Sequence, residues 1–339
     1  RSDGKPFFLF AAYTSPHWPL QAPDEFVEKY RGKYNMGYDS LRLLRFEGLK
    51  KKGIIPENLQ LPDLPTVKGK LTNISDRPLL PWDSLSDKEQ KIESRKMELF
   101  AAMVDNLDYH VGRLIIYLKE IDVFDNTLFI FFSDNGAAPW EANRSPDGFD
   151  VYENMGAPNS FVAYGPQWAH ASVAAFRLYK GYTTEGGIRT PLIVKLPGRE
   201  DNGQIRTTFT SVMDMAPTFL QLVGATYPDS IDGRKLAEHK GKSLVPYLNG
   251  EKERVHEKDY VMGWELFGRS ALRKGDWKIV QVESPLGKDT FELYHLKDDP
   301  LEKTDISERF PEKYLELLHL WEIYVHENGI VIPDWEKEE

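Results

Sequence analysis

The chain has 339 residues and a mass of 39.0 kDa, enough for one large domain or for one large and one small domain. Its formal charge of −10 argues against a general nucleic-acid binder, which needs a basic surface, and no apolar run reaches the ~18 residues of a membrane helix. Cysteine is absent. This excludes disulfides, thiolate nucleophiles and cysteine-ligated metal sites, but it leaves the redox compartment open.

Three apolar segments without polar alternation predict strands that are buried on both faces. They span residues 5–12, 127–132 and 189–195. Strands of this kind, separated by helices, indicate a mostly parallel sheet that is covered on both faces. In such sheets the chemistry lies at the carboxyl ends of the strands, and His17 and Asp134 follow the first two segments.

Two helices are marked by their ends as well as by their apolar period. Ser86 and Glu89 form a capping-box pattern that predicts the start of a long helix. The apolar residues that follow at a spacing near 3.6 are Met97, Phe100, Ala101, Val104, Val111, Leu114, Ile115 and Leu118. A shorter helix is predicted between residues 212 and 223, and Gly224 is its expected C-terminal stop.

The pattern of apolar and polar residues changes at about residue 251. Strand patterns occur at 260–264, 270–273, 277–280 and 291–296. Together they predict an antiparallel meander, which is followed by an amphipathic helix that ends before Gly329. We therefore predict an α/β domain over residues 1–250 and a small α+β domain over residues 251–339.

Asp134 and Asn135 stand side by side after the second apolar segment. A carboxylate and an amide oxygen next to each other suit a hard cation, which prefers oxygen ligands. The four residues from Ser133 to Gly136 are also typical of a tight turn, because Asp, Asn and Gly favour turn geometry. Taken alone, these four residues leave both interpretations open, and the turn is the commoner one.

Two further polar residues are predicted to lie on loops. His17 is held between two prolines, and it either serves an anionic substrate and its leaving group or is an ordinary surface histidine. Lys180 opens a glycine-rich segment, in which the glycines allow close approach of the backbone to a ligand and the lysine supplies a point charge for an oxyanion. The segment lacks the order of a phosphate P-loop, and a solvated lysine is the alternative.

The order of these motifs along the chain resembles that of a known family. The motifs are Pro16-His17-Trp18-Pro19-Leu20, Ser133-Asp134-Asn135-Gly136, the segment from Lys180 to Pro191, Met213-Asp214-Met215-Ala216-Pro217-Thr218, Gly241-Lys242-Ser243-Leu244 and the segment from Glu292 to Pro300. In this order they resemble the formylglycine-dependent sulfatases of the alkaline phosphatase superfamily, with the arylsulfatase branch as the nearest. The likeness extends over essentially the whole chain.

The resemblance implies a fold and a site. The fold is an alkaline-phosphatase-like α/β domain with a mixed sheet and helices on both faces, plus a small C-terminal domain with an antiparallel sheet. Asp134 and Asn135 would ligate a single calcium ion (Ca²⁺). His17 would contact the sulfate or the leaving-group oxygen, and Lys180 would bind the sulfate. The implied activity is hydrolysis of a sulfuric ester, either a small molecule or a sulfated glycan.

One part of the family pattern is absent. The family's nucleophile is a formylglycine made from the Cys or Ser of a C/S-x-P-x-R box, and no residue of this chain begins that pattern. The family's other early ligands, which precede the His17 segment, are missing too. We therefore expect the chain to be the C-terminal portion of a sulfatase, inactive alone and completed by an N-terminal segment that carries the formylglycine and the remaining calcium ligands.

Two other functions fit the same residues. One is a phosphodiesterase or phosphonate monoester hydrolase of the superfamily, because a phosphate diester carries the same single negative charge as a sulfate monoester. The other is a non-catalytic sulfatase-like protein that binds sulfated ligands. Local positive charge would come from Lys180, His17 and either Arg177 or Arg189, since the net charge repels anions.

The alcohol or phenol half of the substrate is left open by the sequence. Specificity in the family lies in variable loops, which correspond here to residues 40–85 and 137–176. An aromatic wall is a possible feature of these loops, formed by Trp140, Phe149, Tyr152 and Trp168. Calcium dependence favours the periplasm or the cell exterior over the cytosol.

Overall fold

The computed structural model describes residues 4–64, 79–141, 149–199 and 203–331. The helices are α1 (Asp24–Val27), α2 (Gly37–Lys51), α3 (Asp87–Glu120), α4 (Gly165–Ser172), α5 (Glu185–Ile188), α6 (Met215–Leu222), α7 (Val245–Leu248) and α8 (Pro311–Asn328). The strands are β1 (Phe129–Phe132), β2 (Leu192–Lys195), β3 (Ser230–Ile231), β4 (Arg234–Lys235), β5 (Val261–Leu266), β6 (Arg269–Lys274), β7 (Trp277–Gln281) and β8 (Phe291–His295). The chain therefore has an α/β part followed by a small antiparallel sheet, as predicted.

Helix α3 begins at the predicted capping box. The Ser86 N–H donates to Glu89 Oε2 at 2.8 Å, and the Glu89 N–H donates to Ser86 Oγ at 3.4 Å. These bonds satisfy backbone donors that a helix start would otherwise leave unpaired. The predicted apolar positions are buried or half-buried except for Val104, which is exposed.

Trp168 lies at the centre of the main core, which is built largely from α1 to α4. Its side chain is fully buried, and its ring meets Tyr38 and Trp82 edge to face at 5.5 and 6.0 Å. Its indole N–H donates to the Glu93 carbonyl at 3.1 Å. The prediction that Trp168 belongs to a substrate wall is therefore wrong. The residue packs the core because its N–H finds a carbonyl there and its large ring is shielded from water.

Strands β1 and β2 form a two-stranded antiparallel sheet, with Phe132 opposite Leu192. The prediction of a parallel arrangement with full burial is wrong for these strands, and Ile193 is 62 % exposed. Residues 5–12 form no strand, and Phe8 and Phe10 are each 75 % exposed. A strand requires a neighbour for its backbone hydrogen bonds, and an apolar composition alone does not supply one.

The C-terminal sheet has the strand order β5-β6-β7-β8, with every pair antiparallel. Its outer face packs on α8, where Leu272, Ile279 and Leu293 meet Leu317 and Trp321. The predicted meander and its closing helix are thus confirmed, and the helix ends where a glycine adopts the left-handed conformation.

The opposite face of this sheet, called here the inner face, continues the main core. Ala271, Val280 and Tyr294 alternate with the residues that contact α8, and they belong to the same apolar cluster as Trp168. The core therefore runs across residue 250. The boundary predicted there, which separates residues 1–250 from 251–339, stays a prediction.

Replacement of Asp305 by asparagine should remove a source of acid sensitivity. The carboxylate accepts hydrogen bonds from the N–H groups of Leu293 and Ser307 and from Lys288 Nζ, at 3.1, 3.0 and 2.8 Å. Partial burial opposes ionisation, but these donors lower the pKa of Asp305 to about 2. The stabilisation is therefore present above about pH 4 and is lost as pH falls through the folded-state value.

We expect the variant to lose roughly 1–2 kcal/mol at pH 7 and to show a flatter stability profile between pH 4 and 2. Urea unfolding at several pH values measures both effects. The matched control is Asp259→Asn, because Asp259 is exposed and its side chain has no polar partner in the described ranges. Parallel pH profiles for wild type and the Asp305 variant would contradict the argument.

Candidate functional site

The loop that follows β1 contacts the glycine-rich loop directly. The Gly136 N–H donates to the Gly187 carbonyl at 2.9 Å, and the Lys180 N–H donates to the Ala137 carbonyl at 3.0 Å. Antiparallel pairing explains the contact, because the residues that follow β1 lie beside those that precede β2. The Asp134 and Lys180 segments are thus neighbours. An antiparallel pair of strands brings them together, and not the parallel sheet that the sequence predicts.

Three glycines make this contact possible. A Cβ atom placed on Gly136 would lie 1.9 Å from the Gly186 carbonyl oxygen. A Cβ on Gly186 would lie 2.0 Å from the Leu178 oxygen, and one on Gly187 would lie 2.1 Å from the Tyr182 oxygen. The prediction that these glycines admit a ligand is corrected at Gly186 and Gly187, since their missing side chains are replaced by the protein's own backbone.

Lys180 contributes a cationic side chain to this loop. The side chain is half-buried, and its ammonium group forms no hydrogen bond or ion pair with any residue of the described ranges. Its position is set through the backbone, by the bond from its N–H to Ala137. An ammonium group without a polar partner among the described residues, on a loop whose backbone is fixed by a hydrogen bond, is able to bind an oxyanion.

Asp134 and Asn135 carry oxygen atoms on the neighbouring loop. Asp134 is exposed, and its carboxylate has no partner in the part of the chain that the structure describes. The Asn135 side-chain N–H donates to the Gly136 carbonyl at 2.9 Å, which leaves Oδ1 to accept. These oxygen atoms suit part of a calcium coordination shell. Among the described residues, however, no group of three His, Asp or Glu side chains lies close enough together to hold a metal ion.

His17 lies on an exposed loop, where two contacts restrain its imidazole ring. Its Nδ1 is 2.7 Å from the Trp18 carbonyl, and because a carbonyl only accepts, Nδ1 carries the proton. The second nitrogen, Nε2, is then left to accept or donate a proton elsewhere. The imidazole also stacks on the Trp18 ring with centroids 5.4 Å apart, and this contact restrains its orientation.

The His17 loop is connected to the other two segments through an intermediate stretch. The Leu20 N–H donates to the Val162 carbonyl at 2.8 Å, and a few residues later the Gly165 N–H donates to the Trp140 carbonyl at 3.1 Å. Trp140 lies on the loop that carries Asp134. The structure therefore joins the Asp134 and Lys180 loops directly and the His17 loop indirectly, and the roles assigned to these side chains stay predictions.

Two arginines that the sequence predicts as sources of positive charge for an anion interact with other groups of the protein. Arg177 donates to Tyr294 Oη at 2.9 Å and to Glu292 Oε2 at 2.8 Å. The Arg189 guanidinium lies 4.5 Å from the centre of the Phe176 ring. Arg177 thus ties the glycine-rich region to β8, which excludes it as a free cation for substrate and leaves Lys180 as the better candidate.

A buried ionic cluster beneath the same loop was missed by the sequence analysis. Lys278 Nζ lies 2.9 Å from Glu185 Oε1 and 2.8 Å from Glu302 Oε1, and the Glu185 N–H donates to Glu302 Oε2 at 2.8 Å. Burial opposes ionisation of both acids, but the charge of Lys278 holds the pKa of Glu185 below its ordinary value, while burial raises the pKa of Glu302. The signal in the sequence that points to this cluster is a lysine within an otherwise largely apolar strand.

A cleft of about 220 Å³ lies at the far end of the C-terminal sheet, around the β6–β7 turn. Its basic lining includes Lys274 and Lys313, but both ammonium groups pair with Glu316, and Asp276 also lines the cleft. The cleft involves none of the candidate residues. Arg254 and Lys258 also line the cleft, which is therefore a basic surface separate from the Lys180 loop.

Comparison with known proteins identifies the class. A profile of the sulfatase family matches residues 1–225, and a profile described as N-sulphoglucosamine sulphohydrolase, C-terminal, matches residues 176–320. The chain therefore belongs to the sulfatase family, within the alkaline phosphatase superfamily, which confirms the family that the motifs predicted.

Individual relatives agree with this assignment. The chain is 39 % identical over 346 residues to an uncharacterized sulfatase of Schizosaccharomyces pombe, and the alignment covers 98 % of the chain and 60 % of the relative. It is 35 % identical over 248 residues to an arylsulfatase of Klebsiella aerogenes, which covers 71 % of the chain and 51 % of that enzyme. The chain thus spans only about half to three fifths of the length of these relatives.

The fold agrees as well. The crystal structure of Ps i-CgsB in complex with k-i-k-neocarrahexaose matches 95 % of this chain and 51 % of its own, with a TM-score of 0.58 and 22 % identity. This likeness shows that the α/β part and the small C-terminal sheet are arranged as in that protein. None of the helices within the described ranges has the length and apolarity needed to cross a membrane.

Proposed function

We propose that this chain provides the sulfate-binding part of an arylsulfatase-like active site that hydrolyses sulfuric esters. The observation that carries the proposal is the direct contact between the Asp134 and Lys180 loops, whose carboxylate and ammonium group have no polar partners among the described residues. Membership in the sulfatase family and 35 % identity to an arylsulfatase support the reaction class. The substrate is a small sulfate ester or a sulfated glycan.

Lys180 and His17 take complementary roles in this proposal. The Lys180 ammonium binds the sulfate oxygens and stabilises the negative charge that builds up on them in the transition state. Nδ1 of His17 donates to the Trp18 carbonyl, so Nε2 is the nitrogen that contacts the sulfate or hands a proton to the leaving-group oxygen. Both residues would touch the substrate and are the proposed catalytic residues of the chain.

Asp134 and Asn135 would hold the calcium ion. Their carboxylate and amide oxygens are the hard ligands that calcium prefers, and neither is taken up by another side chain of the described ranges. A bound calcium ion would help to neutralise the sulfate charge. Since calcium takes six to eight oxygens, these two residues account for only part of its shell, and the proposal requires further ligands beyond these two.

The nucleophile is proposed to come from outside this chain. No Ser begins S-x-P-x-R and Cys is absent, so the chain contains no precursor for the formylglycine that the family resemblance implies. The chain alone is therefore expected to bind sulfate without hydrolysing its ester. Activity would require a further segment of the same protein, which is consistent with relatives of which the alignment covers only 60 % and 51 %.

The surface around β1 and β2 supports such a segment. Each of these strands pairs with only one other strand among the described residues, so each keeps an open edge. Ile193 of β2 is exposed, and so are Phe8, Phe10 and Ile116 elsewhere in the α/β part. Exposed apolar side chains together with open strand edges are typical of a surface that another segment covers.

The variant Lys180→Ala tests the proposed function in the full-length protein. We expect kcat/KM for an aryl sulfate to fall at least ~30-fold, equivalent to ~2 kcal/mol, because one preorganised partner of the oxyanion is removed. Lys258→Ala is the control, since Lys258 is exposed and lacks a polar partner in the described ranges. A normal kcat/KM in the Lys180 variant would exclude the residue from the site.

The same assay separates the alternative functions. Rates on an aryl sulfate and on an aryl phosphate diester are compared for the full-length protein under identical conditions. Sulfate hydrolysis that is faster supports the proposal, and diester hydrolysis that is faster by orders of magnitude supports a phosphodiesterase. Binding of inorganic sulfate without turnover of either ester would identify a non-catalytic binding protein.

Calcium is tested by a readout other than turnover. Calcium ions should raise the Tm of the full-length protein, and Asp134→Asn should remove most of this increase, because a ligand that binds only the folded state stabilises it. Asp259→Asn should leave the increase unchanged. A Tm that responds equally to calcium in wild type and in the Asp134 variant would place the ion elsewhere. A calcium requirement would also favour a location outside the cytosol.

A further inference from the structure

The backbone on the C-terminal side of Lys180 is held by an arginine of the C-terminal sheet. Arg269 Nη1 donates to the Gly181 carbonyl at 2.6 Å. Gly181 follows Lys180 directly and has φ of +92°, a conformation that side chains rarely adopt. The Ala137 carbonyl already holds the Lys180 N–H, so the backbone is anchored at the Lys180 N–H and, one residue further on, at the Gly181 carbonyl. The Lys180 ammonium group has no polar partner among the described residues.

Arg269 is itself held rigidly. Its Nε lies 2.9 Å from both carboxylate oxygens of Glu283, and Nη2 contacts the same carboxylate. The guanidinium plane lies 4.0 Å from the centre of the buried Tyr182 ring, and Tyr182 Oη donates to Glu283 at 3.4 Å. A planar fork that is paired, stacked and 16 % exposed has few alternative positions.

These contacts come from one face of the sheet. Arg269 lies on β6 two residues before Ala271, which places both side chains on the inner face defined above. The same face carries Lys278, which pairs with Glu185 at the end of the glycine-rich loop. The loop that presents Lys180 is thus bound to the inner face at both of its ends.

We propose that Arg269 is a positioning residue for Lys180, through which the C-terminal sheet determines where the sulfate-binding ammonium group lies. This inference rests on the proposed role of Lys180 in sulfate binding. Arg269 does not touch the substrate. It holds the Gly181 peptide, and the stacked Tyr182 and the paired Glu283 hold Arg269.

A double-mutant cycle in the full-length protein tests the proposal. The variants are Arg269→Gln, Lys180→Ala and the two combined, and the readouts are kcat/KM on an aryl sulfate, the inhibition constant of inorganic sulfate and Tm. We expect Arg269→Gln to lower kcat/KM about 10- to 100-fold, since small misplacements of a catalytic group have effects of this size. In the Lys180→Ala background the same substitution should change kcat/KM by less than about threefold, because no ammonium group is left to misplace.

Two further variants protect the result against misfolding. Glu283→Gln leaves the arginine in place but weakens its pairing, so it should weaken inhibition by inorganic sulfate in the same direction as Arg269→Gln, with a smaller magnitude. Arg254→Gln is the matched control, because Arg254 is half-buried, has no polar partner in the described ranges, and lines the cleft at the opposite end of β6 from Arg269. It should leave kcat/KM and the inhibition constant unchanged.

The outcomes distinguish this inference from the proposed function. If Lys180→Ala retains normal activity, the proposed role of Lys180 fails and the inference fails with it. If Lys180→Ala is impaired but Arg269→Gln is not, or if Arg269→Gln has its full effect in the Lys180→Ala background, only the positioning role is overturned. If Arg269→Gln does not fold, the sulfate inhibition constant of Glu283→Gln decides: a weakened value supports the positioning role, and an unchanged one overturns it.

Discussion

Replacement of Lys278 by methionine is expected to lower the free energy of unfolding by about 3–5 kcal/mol. The lysine is fully buried, and its ammonium group lies 2.9 Å from Glu185 Oε1 and 2.8 Å from Glu302 Oε1. Methionine has a similar shape, so the loss does not come from a cavity. It comes from two buried carboxylates that would remain without their shared cation. Urea unfolding followed by tryptophan fluorescence measures the change.

Two comparisons make this result specific to the ionic cluster. Lys258→Met, at an exposed position without a polar partner in the described part of the chain, should change stability by no more than about 0.5 kcal/mol. Adding Glu302→Gln to Lys278→Met should restore part of the loss, because it removes one of the two uncompensated charges. A loss below about 1 kcal/mol for Lys278→Met would show that the cluster does not hold the loop to the sheet.

Alanine at Gly136 is expected to damage the candidate site. Its Cβ would lie 1.9 Å from the Gly186 carbonyl oxygen, a backbone atom that cannot rotate away. The loop that carries Asp134 must then move away from the loop that carries Lys180. We expect a loss of about 1–3 kcal/mol in stability and of about 100-fold in kcat/KM for an aryl sulfate in the full-length protein.

Gly112→Ala provides the matched control for this substitution. Gly112 lies within α3, and a Cβ there would meet nothing within 4 Å. Alanine should therefore stabilise the protein by up to about 1 kcal/mol through its helix propensity, with no change in activity. Wild-type activity in Gly136→Ala would mean that the two loops need not touch for the site to work.

The elements that the sequence predicted well are those with local signals. Helix α3 starts at Ser86 because a side chain and a backbone N–H three residues apart satisfy each other. The β6–β7 turn forms around Gly275, whose φ of +59° suits a residue without a Cβ. Such signals act between residues that are neighbours in sequence, so their outcome hardly depends on the rest of the chain.

The errors concern partners that are distant in sequence. Residues 5–12 have the composition of a buried strand but have no neighbouring strand to bond with in the described ranges, and they lie exposed. The loop position of Trp168 allows it to join an aromatic wall at the substrate, yet it fills the core against Tyr38 and Trp82. Arg177 was offered to an anion but pairs with Glu292, 115 residues further along the chain. The residue type limits which interactions a side chain is able to make. The residues that lie near it in the folded chain determine which of these interactions forms.

The family and the candidate residues follow from the motifs around His17, Asp134 and Lys180, because the order and the chemistry of these motifs do not depend on packing. How the motifs come together depends on contacts that form only in the folded chain. An antiparallel pair of strands places Asp134 beside the Lys180 loop, and backbone contacts at Gly136 keep the two loops together. Charges buried on the inner face of the C-terminal sheet hold that loop in place, since an ion pair in the interior depends on geometry that no local pattern in the sequence records.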